Sequence, residues 1–436
     1  MTSCQQFPKN WTSLPLSAVA EVKFSNVDKI SHPGEIPVRL CNYTDVYKND
    51  YIAADMDFMR ATATRAEIDR FGIRPGDVII TKDSETPNDI GISTVVDSSA
   101  PDLVCGYHLA LIRPNQELVD PTFLSKQLRH NRIAGYFGGQ ANGSTRYGLS
   151  TSSIANTPLI LPDLEMQRAS SALMRLVDDA IAKTEAVIAK LKQIRSGLLH
   201  DLLTCGLDKN GQLRDPIAHP DQFKDSPLGR IPREWEVRTC QSLCREIIVG
   251  IVVKPAQYYV KAGVPVLRSA NVRENGIDPL DLVYISPESN VQLSKSILYT
   301  DDLVAVRTGY PGTTCVIPRQ FNGANCVDLI ISRPGSEIVP RFLALWANSS
   351  FGKDQILRVQ GGLAQQHFNV REMKALLVVK PTRDEQRMIV QRVDAIDLEA
   401  RAVVAELEKL LLLKSGLMTD LLSGSVPLPV VGGRKA

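Results

Sequence analysis

The sequence predicts an α+β protein: two duplicated globular α/β domains separated by two long antiparallel helices of coiled-coil type, related by a pseudo-twofold. Three observations predict it. The phrase IRSGLLHDLL at 194–203 returns as LKSGLMTDLL at 413–422. The offset between the copies (362 − 143 = 219) holds without a gap from Gly143 and Gly362 to Leu203 and Leu422. A run of alternating short apolar stretches and turn residues precedes each copy, as expected of an α+β domain. The shared residues include Pro162 and Pro381, the pairs Gln167-Arg168 and Gln386-Arg387, and Ser196-Gly197 and Ser415-Gly416. None of these is a heptad residue, so the match is duplication rather than helical coincidence.

Taken in order, residues 1–160 form the first globular domain. FPKNW near its start answers IPREW at 231–235, IPVRLCN at 36–42 answers VPVLRSAN at 264–271, and GDVIITK at 76–82 answers DDLVAVR at 301–307. LALIRP at 109–114 answers LIISRP at 329–334, and Pro121-Thr-Phe-Leu124 answers Pro340-Arg-Phe-Leu343. Short β-branched runs such as VIIT and LVAV read as strands, and the residues after each Pro-x-Phe-Leu read as a helix. The second globular domain is 231–380. Between them, 205–230 is rich in Gly, Pro and Asp and reads as an extended connector over the surface.

The helical segments are 161–204 and 381–425, followed by a loosely held tail at 426–436. Each starts after a proline with an acidic first turn, which complements the helix dipole. Apolar residues then recur at alternating spacings of three and four: Val177, Ile181, Ile188, Leu191, Leu198 and Leu202 in the first, and Ile396, Val403, Leu407, Leu410, Leu417 and Leu421 in the second. This is a heptad seam that needs a partner, and the other copy is the nearest candidate. Both seams carry a base at the same position, Arg195 and Lys414.

Composition sets wide bounds. The chain has 436 residues, 50 Lys+Arg against 48 Asp+Glu, and a net charge of +2, well short of the basic excess of a sequence-independent nucleic-acid binder. The first residues are polar, and the longest apolar run, IIVGIVV at 247–253, is too short to span a bilayer, so a cytoplasmic protein without membrane attachment is expected. Eight scattered cysteines suit a reducing compartment. Cys105-Gly-Tyr-His108 has the spacing of one metal-ligand pair, but no second pair stands nearby, so no metal is expected.

Catalytic signatures are missing. There is no phosphate-binding loop, H-E-x-x-H or nucleophile elbow, and no Asn/Asp-Pro-Pro tetrad of the kind that base-amino methyltransferases carry. What remains is polar loops in matching places: GGQANGSTRYGLSTSS (138–153) with RVQGGLAQQHFN (358–369), and TKDSETPND (81–89) with RTGYPGTT (307–314). They carry side chains able to bond base edges. The candidates are Lys82, Asn142, Ser144, Thr145, Arg146 and Tyr147 in the first domain, and Arg307, Tyr310, Arg358, Gln365, Gln366 and His367 in the second.

The motifs IPREWEV (231–237), LPDLEMQR (161–168) with KPTRDEQR (380–387), IRSGLLHDLLT and LKSGLMTDLLS, and the connector GLDKNGQLRD leading to FKDSPLGRIPREW together resemble the specificity subunits of type I restriction-modification enzymes, across essentially the whole chain. The first copy lacks the longer lead-in seen before Trp235. The resemblance implies two target-recognition domains, each reading half of a bipartite site in double-stranded DNA. It implies helices that set the spacer and dock two methylation subunits, with restriction and motor subunits joining for cleavage. S-adenosylmethionine, Mg and ATP would sit on those partners, and this chain would hold no cofactor and catalyse nothing. A helix of about 38 residues rises about 57 Å, roughly 17 base pairs. Two other classes compete: a stand-alone DNA methyltransferase or nuclease, and a coiled-coil scaffold with no nucleic-acid role.

Overall fold

The computed structural model describes residues 7–359 and 367–426. By contacts the chain divides into unit 1, residues 1–185 with 405–436, and unit 2, residues 186–404. The two long helices, Leu164–Thr204 and Arg383–Ser423, are 41 residues each. Unit 1 therefore holds the start of the first and the end of the second, and unit 2 holds the converse, so the helices run antiparallel.

The duplication is visible strand by strand. In unit 1 a five-stranded sheet has the order Ala20–Phe24, Leu109–Pro114, Val78–Thr81, Ser93–Val96, Tyr51–Ile52. In unit 2 the first four recur as Cys244–Val249, Leu329–Pro334, Leu303–Val306 and Thr314–Val316. A smaller sheet built on Ile36–Cys41 in unit 1 answers one built on Val264–Leu267 in unit 2. The central strands VIIT and LVAV are buried at every position, which is why they read as unbroken apolar runs rather than alternating ones. In both units the strand just after the repeated Trp11 or Trp235 pairs antiparallel with the last one before a long helix: Thr12–Pro15 with Pro158–Leu161, and Glu236–Thr239 with Leu377–Lys380.

Helix starts explain the repeated Gln. Asp163 accepts from Met166 N at 2.8 Å, and Thr382, its repeat partner, accepts from Glu385 N at 3.3 Å, each quieting a free amide of the first turn. One turn in, Gln167 is buried, accepts from Asp120 N at 2.9 Å and donates to Pro162 O at 2.9 Å. Gln386 accepts from Val339 N at 2.7 Å and donates to Pro381 O at 2.9 Å. The same side chain ties each long helix to the start of the helix after Pro-x-Phe-Leu.

The seam turns inward. Val177, Ile181, Leu191, Leu202 and Leu421 are buried, while Ile188, Leu198, Ile396, Val403, Leu407, Leu410 and Leu417 are half-buried. Its two bases meet carboxylates of the opposite helix. In unit 1 Lys414 Nζ lies 2.7 Å from Asp178 Oδ1. In unit 2 Arg195 bonds Asp397, the repeat partner of Asp178, with Nη2 at 3.2 Å from Oδ2. Around Asp178 the buried Lys126 donates at 2.6 Å and the Tyr51 hydroxyl at 2.8 Å, and Lys126 and Lys414 both reach Asp50, at 2.8 and 2.6 Å. Burial pushes the Asp50 carboxyl up, but Lys126, Arg129 and Lys414 outweigh it and hold it well below the usual carboxylate range.

The connector is held at a few points. Leu207 and Phe223 are buried, and Phe223–Ser226 pairs with Gly229–Pro232 as a hairpin. Arg214 donates to Glu385 at 2.6 Å, and Glu385 also accepts from Leu207 N at 2.8 Å and from Trp235 Nε1 at 3.0 Å. The segment is thus anchored to unit 2 at Leu207, Arg214 and Phe223, because the buried Glu385 needs donors that Leu207 N and Arg214 supply.

Candidate nucleic-acid interface

In unit 1 the two polar loops singled out by sequence come together. Asp83–Ser84 pairs with Tyr147–Gly148, Leu149 N donates to Lys82 O at 2.8 Å, and a bridge between Asn142 and Gly148 closes the turn that carries Ser144, Thr145 and Arg146. Gly143 has φ +143°, and a Cβ there would lie 2.0 Å from Arg146 O, so only glycine fits this turn. Asn142, Ser144, Thr145 and Arg146 are exposed and Tyr147 is half-buried.

Lys82 behaves differently from its sequence reading. Its Nζ donates to Ser25 O at 3.0 Å and lies 5.0 Å from the Phe24 ring centroid and 4.6 Å from that of Tyr107. Burial pulls its ammonium below the ordinary lysine value against the pull of Asp83. This cation is engaged in fixing Tyr107, itself about half exposed, through cation–π contact. Sequence reasoning missed Tyr107, Asp83 and His108. His108 had drawn attention only as a metal-like partner of Cys105, whereas Cys105 is buried in a strand and His108 Nδ1 lies 2.8 Å from Asp83 Oδ2.

Unit 2 closes its loops with the same backbone bond: Phe368, the repeat partner of Leu149, donates to Arg307 O at 2.9 Å. Arg307 pairs with Asp328 and donates from Nη2 to Asn369 Oδ1 at 2.9 Å, so it too is engaged within the unit. Asp328, with φ +52°, keeps part of its carboxylate exposed. Tyr310 is 83 % exposed on a turn with Gly309 and Gly312, both in the left-handed region. Arg358 and His367 are exposed, while Gln365 and Gln366 lie outside the described residues, as does the tail from 427.

The long helices present a second face. Seam residues are committed inside the chain, so the outward apolar side chains are others: Leu176, Val187, Ile194, Leu398, Leu411, Leu412 and Leu413. The repeat also preserves exposed residues whose side chains make no bond among the described residues. Lys190 and Lys409, Ser196 and Ser415, and Gly197 and Gly416 are all exposed, and a Cβ on either glycine would meet nothing within 4 Å. The Ser-Gly pair of each helix is open among the described residues.

No protein-family profile matches the chain. Individual proteins do. It is 23% identical over 443 aligned residues, 98% of this chain and 96% of the relative, to the putative type I restriction enzyme MjaX specificity subunit of Methanocaldococcus jannaschii. It is 20% identical to the type I restriction enzyme EcoKI specificity subunit of Escherichia coli, over 90% of this chain and 83% of that one. The EcoBI specificity subunit of Escherichia coli is 25% identical over 62% of this chain and 59% of its own. Among solved structures, the S subunit of a type I restriction-modification system from M. genitalium superposes with a TM-score of 0.58 at 15% identity, covering 97% of this chain and 98% of that one. A chain from a structural study of type I R-M complex assembly gives 0.56 at 18%, covering 97% and 100%. Over nearly its whole length the chain is similar in sequence to type I specificity subunits and shares the S-subunit fold.

Proposed function

We propose that this chain is the DNA-recognition subunit of a type I restriction-modification enzyme, each globular domain reading one half of a bipartite site. One observation carries the reading: a single fold built twice in one chain, with polar loops at matching positions of the repeat that differ in sequence and, in unit 1, are brought together. Two related readers in one chain suit a non-palindromic target, and the small net charge suits base readout with phosphate contacts shared among partners. Among the described residues no helix is long and apolar enough to cross a membrane, and we place the protein in the cytoplasm with its DNA.

The struts serve two ends in this reading. Their length sets the spacer, and their outward faces dock two methylation subunits. The exposed identities Lys190/Lys409, Ser196/Ser415 and Gly197/Gly416 support docking, because a diverged repeat keeps them at positions where its own packing makes no demand. S-adenosylmethionine, Mg and ATP belong to the partner subunits, and this chain performs no catalysis.

Exchanging residues 1–160 for the corresponding domain of another such subunit, and mapping methylated adenines in cells, tests the reading. A change in one half-site only is expected, and a change in both contradicts modular reading. Inserting four residues near Lys183 should alter the spacer and leave both half-sites intact.

A further inference from the structure

We infer that Arg146 reads a guanine, held in reading posture by Asp83 and His108; this rests on the DNA-recognition reading above. Arg146 is the most outward cation of the joined loops, its side chain 59% exposed, yet it is braced. Its Nη2 donates to Asp83 Oδ1 at 3.0 Å and lies 3.3 Å from His108 Nδ1. Asp83 is only 15% exposed, spends its other oxygen on His108, and sits on the short strand paired with Tyr147–Gly148. The turn beneath Arg146 is fixed by the Asn142–Gly148 bridge and by Gly143. Among the described residues Arg146 Nε and Nη1 make no bond. With His108 Nδ1–H donating to Asp83, only one N–H of Nη2 is anchored. The second N–H of Nη2, with Nε–H or Nη1–H beside it, leaves a two-donor fork in a set plane with much of its ordering entropy already spent.

The chemistry selects the ligand. A phosphate is drawn by net positive charge, and here Asp83 cancels the charge of Arg146. A base edge needs paired donors in a plane, and the O6/N7 edge of guanine is the one that matches arginine bidentately. Tyr107, pinned by Lys82 and packed edge-on to His108 at 5.0 Å, stands beside the group as a rigid flank. The repeat sets Gln365 opposite Arg146 (146 + 219 = 365). Glutamine matches adenine by the same geometric logic, so the two domains differ in type at this position.

The test is adenine-methylation mapping in cells carrying the chain with its methylation subunits, unaltered or as Arg146→Ala, Arg146→Gln, Arg146→Lys or Asp83→Asn. The inference expects one G·C pair in one half-site to lose its preference by about 10-fold or more in Arg146→Ala. Arg146→Gln should shift that position toward A·T, Arg146→Lys should not restore it, and Asp83→Asn should weaken it, with the other half-site unchanged throughout. An unchanged motif in Arg146→Ala, or a uniform fall in methylation with no positional change, overturns the inference and leaves the proposed function standing. Absence of any motif with the unaltered chain overturns the proposed function itself. Thermal unfolding of each Arg146 variant should match the parent, since that side chain is exposed.

Discussion

Asp178 and Asp397 occupy the same position of the repeat and do the same job with different help. Each takes the seam base of the opposite helix, Lys414 in unit 1 and Arg195 in unit 2. In unit 1 the support is a buried lysine, Lys126, with Asp50 and Tyr51; in unit 2 it is Arg341, which spans Asp397 at 2.9 Å and Asp394 at 3.0 Å. The helix pairing is held fixed while the surrounding shell drifts. A seam ion pair tolerates such drift only if every buried charge keeps a partner, and both units meet that condition.

Asp178→Ala strips the Tyr51 hydroxyl of its acceptor and leaves Lys126, 2% exposed against 23% for Arg341, to share Asp50 with Lys414 and Arg129. It should destabilise unit 1 by about 3–5 kcal/mol. Asp397→Ala should cost unit 2 less, about 1–3 kcal/mol, because Arg341 keeps Asp394. Hydrogen exchange resolved by segment would show the difference, and equal losses would break the contrast between the two shells. Next comes Glu385→Ala, which strips Trp235 Nε1, Leu207 N and Arg214 at once and should cost about 2–4 kcal/mol in urea unfolding. Met166, its repeat partner, holds no such set, and Met166→Ala should cost about 1 kcal/mol or less.

Acid sharpens the comparison further. Because the Asp50 carboxyl is held below its unfolded value, its contribution is fully present above about pH 4 and is lost as pH falls toward its folded value. Unit 1 should therefore loosen progressively below about pH 4, and Asp50→Asn should flatten that dependence in hydrogen exchange measured against pH. The smallest stability effect belongs to the open patch: Gly197→Leu and Gly416→Leu should shift unfolding by about 0.5 kcal/mol or less. Each should remove one of two methylation subunits from the complex, read as stoichiometry by native mass spectrometry.

The struts were legible because periodicity and duplication are local signals. Gln167 and Gln386 stood out as identities that a heptad does not require, and the structure supplies the reason in their bonds to the next helix. The seam bases were equally plain, but their acids were not. Asp50 and Lys126 are far apart in sequence, and nothing local announces that they meet. The surroundings of Lys82 and Arg307 were hidden for a related reason: the aromatic pair beside one and Asp328 with Asn369 beside the other are far away in sequence. In the connector, Gly and Pro content masks Leu207 and Phe223, two anchors among many polar residues. Arg146 was singled out from the composition of its loop, while the Asp83–His108 brace needed three segments brought together.

The most direct measurement of the central claim is genome-wide mapping of methylated adenines with and without this chain. A single bipartite, non-palindromic motif that appears only when the chain is present is the predicted result. A motif that persists without it, or one that is palindromic or undivided, would contradict the account of two unlike readers on paired struts.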